Sequence, residues 1–166
     1  SGRFTVQEVD NLEALLGEMQ RLNPAELLVP DDVTFPEAIT RRAGVRKQAP
    51  WEYDLETAQR LLTQQFGTRD LAGFGCTDLE LALRAAGCLM NYVRQTQRTA
   101  VPHIRALAAE RRGEAVEMDA ATRRNLELDV NLAGTAEHTL FAVLNQSATA
   151  MGARLLKRWL HRPLAN

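Results

Sequence analysis

A strand–helix–strand pattern occupies the first 30 residues and constrains the fold more than any other feature of the sequence. Residues 3–9 alternate apolar and polar side chains, which is the period of a half-buried strand. Residues 12–22 place apolar side chains at helical spacing, and Pro24 ends the helix because proline disfavours the helical conformation in the residue before it. Residues 25–29 are predicted to form a second strand. This order predicts a βαβ unit with two parallel strands and a right-handed crossover.

Two parallel strands do not make a stable sheet by themselves, because parallel sheets need further strands and covering helices. Residues 34–50 form a weakly patterned, basic stretch flanked by prolines, and no strand pattern follows before a short extended piece at residues 115–118. We therefore expect residues 1–50 to be the cut end of a larger α/β domain and residues 51–166 to form a helical domain. The predicted fold class is α+β, mostly α.

Helix-capping signals predict the helices of the second domain. Asp54 is placed to cap the first of them, and Gly67 to end it in the left-handed conformation. A capping box at residues 77–80, Thr-Asp-Leu-Glu, opens a long helix that is expected to end near Gln97. Asp119 is the predicted N-cap of a helix over residues 120–132, and two more helices are expected near residues 137–146 and 150–161.

The charge is distributed unevenly along the chain. Twenty basic and 21 acidic residues give a formal net charge of −1, which removes the whole-chain argument for a dedicated nucleic-acid-binding protein. Residues 1–40 carry two basic and eight acidic side chains, a net charge of −6. Residues 41–166 therefore hold 18 basic and 13 acidic side chains, a net charge of +5. Any contact with a polyanion is expected in this later part.

The sequence shows no sign of export or membrane insertion. No apolar run approaches the roughly 20 residues of a membrane-spanning helix, and the N-terminus lacks a charged segment followed by an apolar signal core. Cys76 and Cys88 are too few for a disulfide framework, and their surroundings predict buried thiols in a reducing compartment. We expect a soluble, cytoplasmic protein with no membrane partner.

The common enzyme signatures are absent from the sequence. It contains no phosphate-binding Gly-x-x-x-x-Gly-Lys-Ser/Thr loop, no nucleophile elbow and no His-Glu-x-x-His metal pair. His103, His138 and His161 are scattered and lack neighbours at metal-ligand spacing. No catalytic, cofactor-binding or metal-binding residue is therefore predicted, and the chain is not expected to bind or hydrolyse ATP.

The last helix separates apolar from basic side chains. Its apolar arc contains Met151, Gly152, Leu155, Leu156, Trp159 and Leu160. We expect this arc to be buried around Trp159, with Gly152 allowing another backbone to approach closely. The opposite face carries Arg154, Lys157 and Arg158, which are candidate contacts for DNA phosphates. An ordinary solvated face, with cations near the helix C-terminus, is the interpretation that we favour.

Three longer parts of the sequence carry a recognisable family pattern. They are MDAATRRNLEL at residues 118–128, QFGTRDL at residues 65–71 with AAGCL at residues 85–89 and TQR at residues 96–98, and TAMGARLLKRWLHRPL at residues 149–164. These parts resemble the bacterial MutS proteins of DNA mismatch repair, and the last contains the family spacing Gly-x-Arg-x-Leu-x-x-Trp-x-x-x-Pro. SGRF at residues 1–4 and NPAEL at residues 23–27 extend the resemblance over most of the chain. Residues 31–49 match least.

The resemblance implies that residues 1–50 are the C-terminal part of a ribonuclease H-like connector domain and that residues 51–166 begin the helical core, or lever, domain. It also implies a full-length mismatch-recognition ATPase that uses ATP and magnesium and forms a homodimer. Mismatched duplex DNA and a MutL-type protein are the implied partners. The family motifs for mismatch reading, DNA clamping and ATP hydrolysis are not in this sequence, so the implied role is a structural relay between the mismatch-binding and ATPase regions.

A second hypothesis of a different class stays open. The charge of +5 in residues 41–166 and the basic face of the last helix are also compatible with an independent helical adaptor or a weak basic nucleic-acid-binding module. Structural roles, rather than contacts with a ligand, are expected for Asp119, Gly152 and Trp159 under both hypotheses.

Overall fold

The computed structural model describes residues 2–97, 101–111, 113–116 and 118–165, apart from the side chain of Ala120. Within these residues the chain forms seven α-helices and four short β-strands. The helices are α1 (Leu12–Leu22), α2 (Glu37–Thr40), α3 (Leu55–Phe66), α4 (Glu80–Gln97), α5 (Ala120–Asn125), α6 (Leu140–Leu144) and α7 (Ala150–His161). The strands are β1 (Thr5–Val6), β2 (Leu27–Pro30), β3 (Val45–Gln48) and β4 (Ala108–Ala109).

The fold class is mixed α+β and mostly helical, as predicted. Two short 3₁₀ helices, Pro50–Tyr53 and Ala72–Phe74, complete the regular structure of the described residues. None of the described helices is long and apolar enough to span a membrane. Arg98 of the TQR motif and Glu117 of the predicted extended piece lie outside the described residues.

Two compact units make up the chain. The first contains Ser1–Asp10 and Pro24–Arg111, and the second contains Asn11–Asn23 and Arg112–Asn166. The chain therefore passes between the units at three points, and α1 belongs to the second unit although the strands on both sides of it belong to the first. Sequence periodicity does not reveal this arrangement, because it reports which face of a helix is apolar and not which element covers that face.

The first two strands belong to different sheets and do not pair with each other. β1 pairs in parallel with β4, and β2 pairs in parallel with β3. The prediction that the first two strands form one βαβ unit is therefore wrong. The sequence VRKQ of β3 has a single apolar side chain, and its two central residues are exposed. Periodicity missed this strand because alternation develops only where one face of a strand is buried.

Gly44 allows β3 to approach β2. Its φ of 80° lies in the left-handed region, and a Cβ built on it would lie 2.0 Å from the Ala25 carbonyl oxygen. The carbonyl oxygen of Gly44 accepts a hydrogen bond from Leu27 N at 3.0 Å, at the start of the paired residues. Both the backbone conformation and the space therefore require glycine here.

The core of the first unit lies between α3 and α4. Asp54 caps α3 by accepting a hydrogen bond from Thr57 N at 2.8 Å, and Gly67 ends it with a φ of 66°, as predicted. α4 is helical from Glu80 to Gln97, the last residue described before residue 101, and the helix end predicted near Gln97 stays a prediction. The most deeply buried large side chains of this core are Leu62, Leu83, Met90 and Val101. Cys76 and Cys88 are free and buried, which confirms the predicted burial of both thiols.

Gly87 sets the distance between α3 and α4. A Cβ at this position would lie 2.3 Å from Ala58 Cβ and 2.6 Å from Ala58 Cα. These distances are far shorter than the roughly 3.5–4.0 Å between carbon atoms in van der Waals contact. The two helices therefore cross closely enough that α4 has no room for a side chain at residue 87.

The helices of the second unit differ most from the prediction. α5 ends at Asn125 rather than near residue 132. Glu127, with a φ of 44°, turns the chain, and its carboxylate accepts a hydrogen bond from Leu132 N at 2.7 Å. Asn131 then binds Thr135 through side-chain hydrogen bonds in both directions. Such local bonds compete with helix formation, which accounts for the early end of α5.

We expect Gly87→Ala to destabilise the chain by about 1–3 kcal/mol, the usual cost of overpacking a core, although alanine is the better helix former by about 1 kcal/mol. Gly73→Ala is the control in the same unit, because a Cβ at Gly73 would meet no atom within 4 Å. That variant should stay within about 0.5 kcal/mol of the parent. Chemical denaturation measures both, and a Gly87→Ala protein as stable as the parent would contradict the close crossing.

Candidate nucleic-acid interface

α7 carries the three predicted DNA-contact residues, and its start is fixed by Thr149. The Thr149 hydroxyl accepts a hydrogen bond from Gly152 N at 3.1 Å, which satisfies one of the free N–H groups at the helix N-terminus. A Cβ at Gly152 would lie 3.2 Å from Ser147 Cβ and 3.4 Å from Thr149 Oγ1. The glycine therefore makes room for the side chains of its own capping loop. The prediction that it lets another backbone approach is wrong.

The apolar arc of α7 does not form a buried core. All twelve residues of α7 are described and none is buried, with Trp159 58% exposed and Met151 75% exposed. α6 packs against α7, but at 1.5 Å per residue its five residues extend over about 7.5 Å, compared with about 18 Å for α7. So short a helix covers only part of the arc. The predicted burial of Trp159 is wrong for this reason.

The three basic candidates lie in different environments. Lys157 is half-exposed, and its Nζ lies 2.6 Å from Asp129 Oδ2. Arg154 is exposed, and its Nε donates a hydrogen bond to the Ala150 carbonyl oxygen of its own helix at 3.2 Å. Arg158 is exposed as well. Arg154 and Arg158 are therefore better placed for a polyanion, because contact through Lys157 would break its ion pair with Asp129.

Asp129 connects the segment after α5 to the last turns of α7. Its Oδ1 lies 3.1 Å from His161 Nε2, while Oδ2 faces Lys157. Burial raises the pKa of Asp129, but the hydrogen bond from Lys157 and the interactions with His161 outweigh burial, so that the pKa of this carboxyl lies below its ordinary value of 3.8. Asp129 is therefore ionised at neutral pH and holds two segments that are distant in sequence.

Asp119 has the capping role predicted for it. Its Oδ1 accepts a hydrogen bond from Thr122 N at 2.6 Å, at the start of α5. The hydrogen bonds from Thr122 lower the pKa of Asp119, because they favour the ionised carboxylate. The carboxylate of Asp119 thus binds the N-terminus of α5, and its role is to stabilise this helix.

Arg123 lies in an environment that differs from the one its local sequence predicts. Its spacing from Glu127 predicts a local pair on a solvated helix face. In the structure the Arg123 side chain is only 12% exposed, and its Nη1 donates a hydrogen bond to the Gly17 carbonyl oxygen at 3.2 Å. Its Nη2 lies 3.8 Å from Glu18 Oε1. No local signal could have identified these partners, because they lie more than 100 residues earlier in the chain.

The first unit contains an open cleft of about 740 Å³ next to the 3₁₀ helix that precedes α3. Trp51 on its rim is 75% exposed. Two hydrogen bonds join residues that line the cleft: Asn91 Nδ2 donates to Glu52 Oε2 at 2.6 Å, and Arg84 Nη1 donates to the Tyr53 carbonyl oxygen at 3.2 Å. Among the described residues, no group of three or more His, Cys, Asp or Glu side chains is placed to hold a metal ion.

Comparison with protein families places the chain among known proteins. The family model for MutS domain II matches residues 1–105, and the model for MutS domain III matches residues 121–166. The chain belongs to the MutS family. The resemblance carried by residues 65–71, 118–128 and 149–164 is thereby confirmed at the level of the family, and with it a place in DNA mismatch repair.

The two matches also bear on the domain organisation of this MutS-family chain. The domain II match includes β1 through α4, and the domain III match contains α6, α7 and nearly all of α5. The predicted boundary after residue 50 lies inside the domain II match, and it stays a prediction. α1 also lies inside the domain II match, yet it belongs to the second compact unit.

We expect Asp129→Asn to lower the free energy of unfolding by roughly 1–3 kcal/mol near neutral pH, the usual contribution of hydrogen bonds to charged groups. Folding depresses the pKa of Asp129. Its stabilising contribution is therefore present above the unfolded pKa of about 3.8 and is lost as pH falls through the lower folded value. The difference between parent and variant should shrink toward strongly acid pH, as measured by denaturation across a pH series.

Glu137→Gln provides the control for this measurement, since Glu137 is an exposed carboxylate in the same unit. It should differ from the parent by no more than about 0.5 kcal/mol near neutral pH. A stability difference between the parent and Asp129→Asn that stays constant down to the lowest pH would show that the Asp129 ion pair does not stabilise the fold.

Proposed function

We propose that this MutS-family chain is a structural relay that links a mismatch-binding region to an ATPase region. The observation that carries the proposal is the order of the two matches, with MutS domain II followed by MutS domain III in one chain. The relay acts without chemistry of its own. Other regions of the full-length protein bind mismatched duplex DNA and use ATP with magnesium. The proposal includes a cytoplasmic homodimer that works with a MutL-type partner.

The connections of the chain support a relay role. Coupling between distant sites requires an element whose arrangement both sites bias. The chain passes between its compact units at three points, after residues 10, 23 and 111, so that each unit is tied covalently to the other more than once. Within the second unit, Asp129 fixes α7 to the segment after α5. These connections provide a physical route for a change in domain II to reach domain III.

The proposal predicts that loosening one connection weakens coupling and leaves each site intact. In the full-length protein, a flexible Gly/Ser segment inserted between Gly113 and Glu114 should reduce the effect of a mismatch on ATP turnover, while DNA binding and basal turnover persist. This position lies between the two family matches. The same insertion between Ala49 and Pro50 tests the predicted boundary after residue 50.

The two insertions separate three outcomes. Loss of the mismatch effect with the insertion after Gly113 alone supports a relay whose domains follow the family matches. Loss of the mismatch effect with the insertion after Ala49 alone supports the boundary after residue 50. If the mismatch effect on turnover survives both insertions, the relay role is wrong, and a docking surface for a partner protein is the better description.

Weak, sequence-independent nucleic-acid binding is the second candidate function. The observation that favours it is the exposure of Arg154 and Arg158 on α7. Each can neutralise a phosphate and release a counterion, which is the main source of non-specific affinity for DNA. Residues 41–166 also carry a net charge of +5, so their electrostatic field attracts a polyanion.

The 166-residue chain should therefore bind duplex DNA weakly, without preference for a mismatch, and less tightly as salt rises. If Arg154 and Arg158 each displace one counterion, the slope of log affinity against log salt should be about −2, and replacing either by alanine should reduce its size by about one. Lys157→Ala is the matched control, because its charge already faces Asp129, and it should change the slope little. Equal effects of all three substitutions, or a clear mismatch preference, would contradict this candidate.

A further inference from the structure

Helix α1 belongs to one domain by sequence and to another by packing. It lies within residues 1–105, which match MutS domain II, yet it is part of the compact unit that holds the whole domain III match. Within that unit α1 packs against α5. The chain leaves the first unit after Asp10 and returns to it at Pro24. α1 is therefore a segment of domain II sequence that is docked on domain III.

Apolar contact contributes only part of this docking. Met19 is the one fully buried residue of α1, all of which is described. Leu15 and Leu16 are partly buried, and Leu12 and Leu22, at the two ends of the helix, are 45% and 59% exposed. Full burial of one methionine contributes about 1.5–3 kcal/mol, which is comparable with a single hydrogen bond to a charged group. Polar contacts therefore have a large share in deciding where α1 lies.

The polar contacts form a guanidinium clasp, made of Gly17, Glu18, Arg21 and Arg123. Arg123 Nη1 donates a hydrogen bond to the Gly17 carbonyl oxygen at 3.2 Å, and its Nη2 lies 3.8 Å from Glu18 Oε1. The other carboxylate oxygen of Glu18 accepts a hydrogen bond from Arg21 Nε at 2.7 Å. One carboxylate thus lies between two guanidinium groups. All three charged side chains are less than a quarter exposed.

The guanidinium clasp positions α1 by removing charged and polar groups from water, which costs free energy. Arg123 Nε is buried and has no hydrogen-bond acceptor among the described residues. Burial lowers the pKa of Arg123, and the carboxylate of Glu18 opposes this effect. Buried ion pairs contribute little net stability, but they can select one arrangement over others. The clasp is therefore better suited to fixing where α1 docks than to holding it there permanently.

The ends of α1 allow it to move as a unit. Asn11 caps the helix in an extended conformation, and its side chain accepts a hydrogen bond from Ala14 N at 2.9 Å. Asn23 ends the helix in the left-handed conformation, with a φ of 39°, and Pro24 follows. Both flanking residues are non-helical, so the helix can leave α5 without unwinding and without extending into the adjoining strands.

We propose that Arg123 is the positioning residue that docks α1 on domain III, and that docking and release of α1 is the two-state element that couples MutS domain II to domain III. The proposal rests on the relay role proposed above. It identifies the element and the contact through which that role is exerted.

Hydrogen exchange of the full 166-residue chain tests the docking directly. Arg123→Met keeps an apolar stem of similar length and removes the charge and the donors. We expect exchange of the α1 amides to accelerate about tenfold or more, because loss of hydrogen bonds to a charged group shifts local opening by this amount. Exchange in α3, in the first unit, should not change. Arg124→Met, at the exposed neighbouring position of the same helix, is the matched control and should behave like the parent.

Two results of this experiment would overturn the docking role. One is unchanged exchange of α1 in Arg123→Met, and the other is equal acceleration in α1 and α3, which would make Arg123 a general stabiliser of the chain.

Glu18→Gln provides a second, independent test of the same contact. It should also accelerate α1, and the double variant should add little to either single change, because both residues act through one contact. Fully additive effects would contradict a shared clasp.

The coupling role has its own test in the full-length protein. Arg123→Met should reduce the effect of a mismatch on ATP turnover while basal turnover stays unchanged, and Arg124→Met should leave both as in the parent. If the insertion after Gly113 reduces the mismatch effect and Arg123→Met does not, the relay role stands and the role of α1 falls. If neither insertion and neither Arg123→Met nor Glu18→Gln reduces it, both proposals are overturned.

Discussion

The close crossing of α3 and α4 at Gly87 and Ala58 fixes the geometry of the helix pair at the centre of the first unit. Once α3 is seated, its Gln65 side chain donates hydrogen bonds to the carbonyl oxygens of Val101 and Ile104, at 3.0 and 3.1 Å. These bonds anchor the segment that leads into β4, which pairs with β1 over two residues only. A strand pair this short is not stable by itself. The strand pair persists because α3 anchors the segment before β4 and α4 packs against β1.

The second unit is held together differently, by ionic and polar contacts more than by apolar burial. Asp129 faces Lys157 and His161, and Arg123 reaches α1, while apolar side chains such as Val143 and Trp159 remain well exposed. Contacts of this kind respond to salt and pH, whereas a closely packed helix pair does not. The contacts inside the second unit are therefore more easily changed than those inside the first. Such a difference suits a chain in which one part is a rigid support and the other reports a change.

Local signals in the sequence predicted local structure well and distant contacts poorly. The caps at Asp54, Gly67 and Asp119 were predicted because each depends on a few neighbouring residues. The basic strand β3 was missed because it buries no continuous apolar face, and α5 was predicted too long because side-chain hydrogen bonds end it. At the candidate site, spacing placed Arg154, Lys157 and Arg158 on one helix but could not show that Asp129 faces Lys157. Nor could it show that α6 is too short to cover Trp159.

The placement of α1 in the second unit also determines when this helix can dock during synthesis of the chain. Gly17 and Arg123 are 106 residues apart, and at about 5–20 residues per second a ribosome needs roughly 5–20 s to add the residues between them. During this time α1 has left the ribosome and its docking partner does not yet exist. All residues of the first unit are therefore made before α1 can dock. A nascent chain interrupted before α5 lacks Arg123, so that the polar partner of Gly17 and Glu18 is missing and α1 stays undocked.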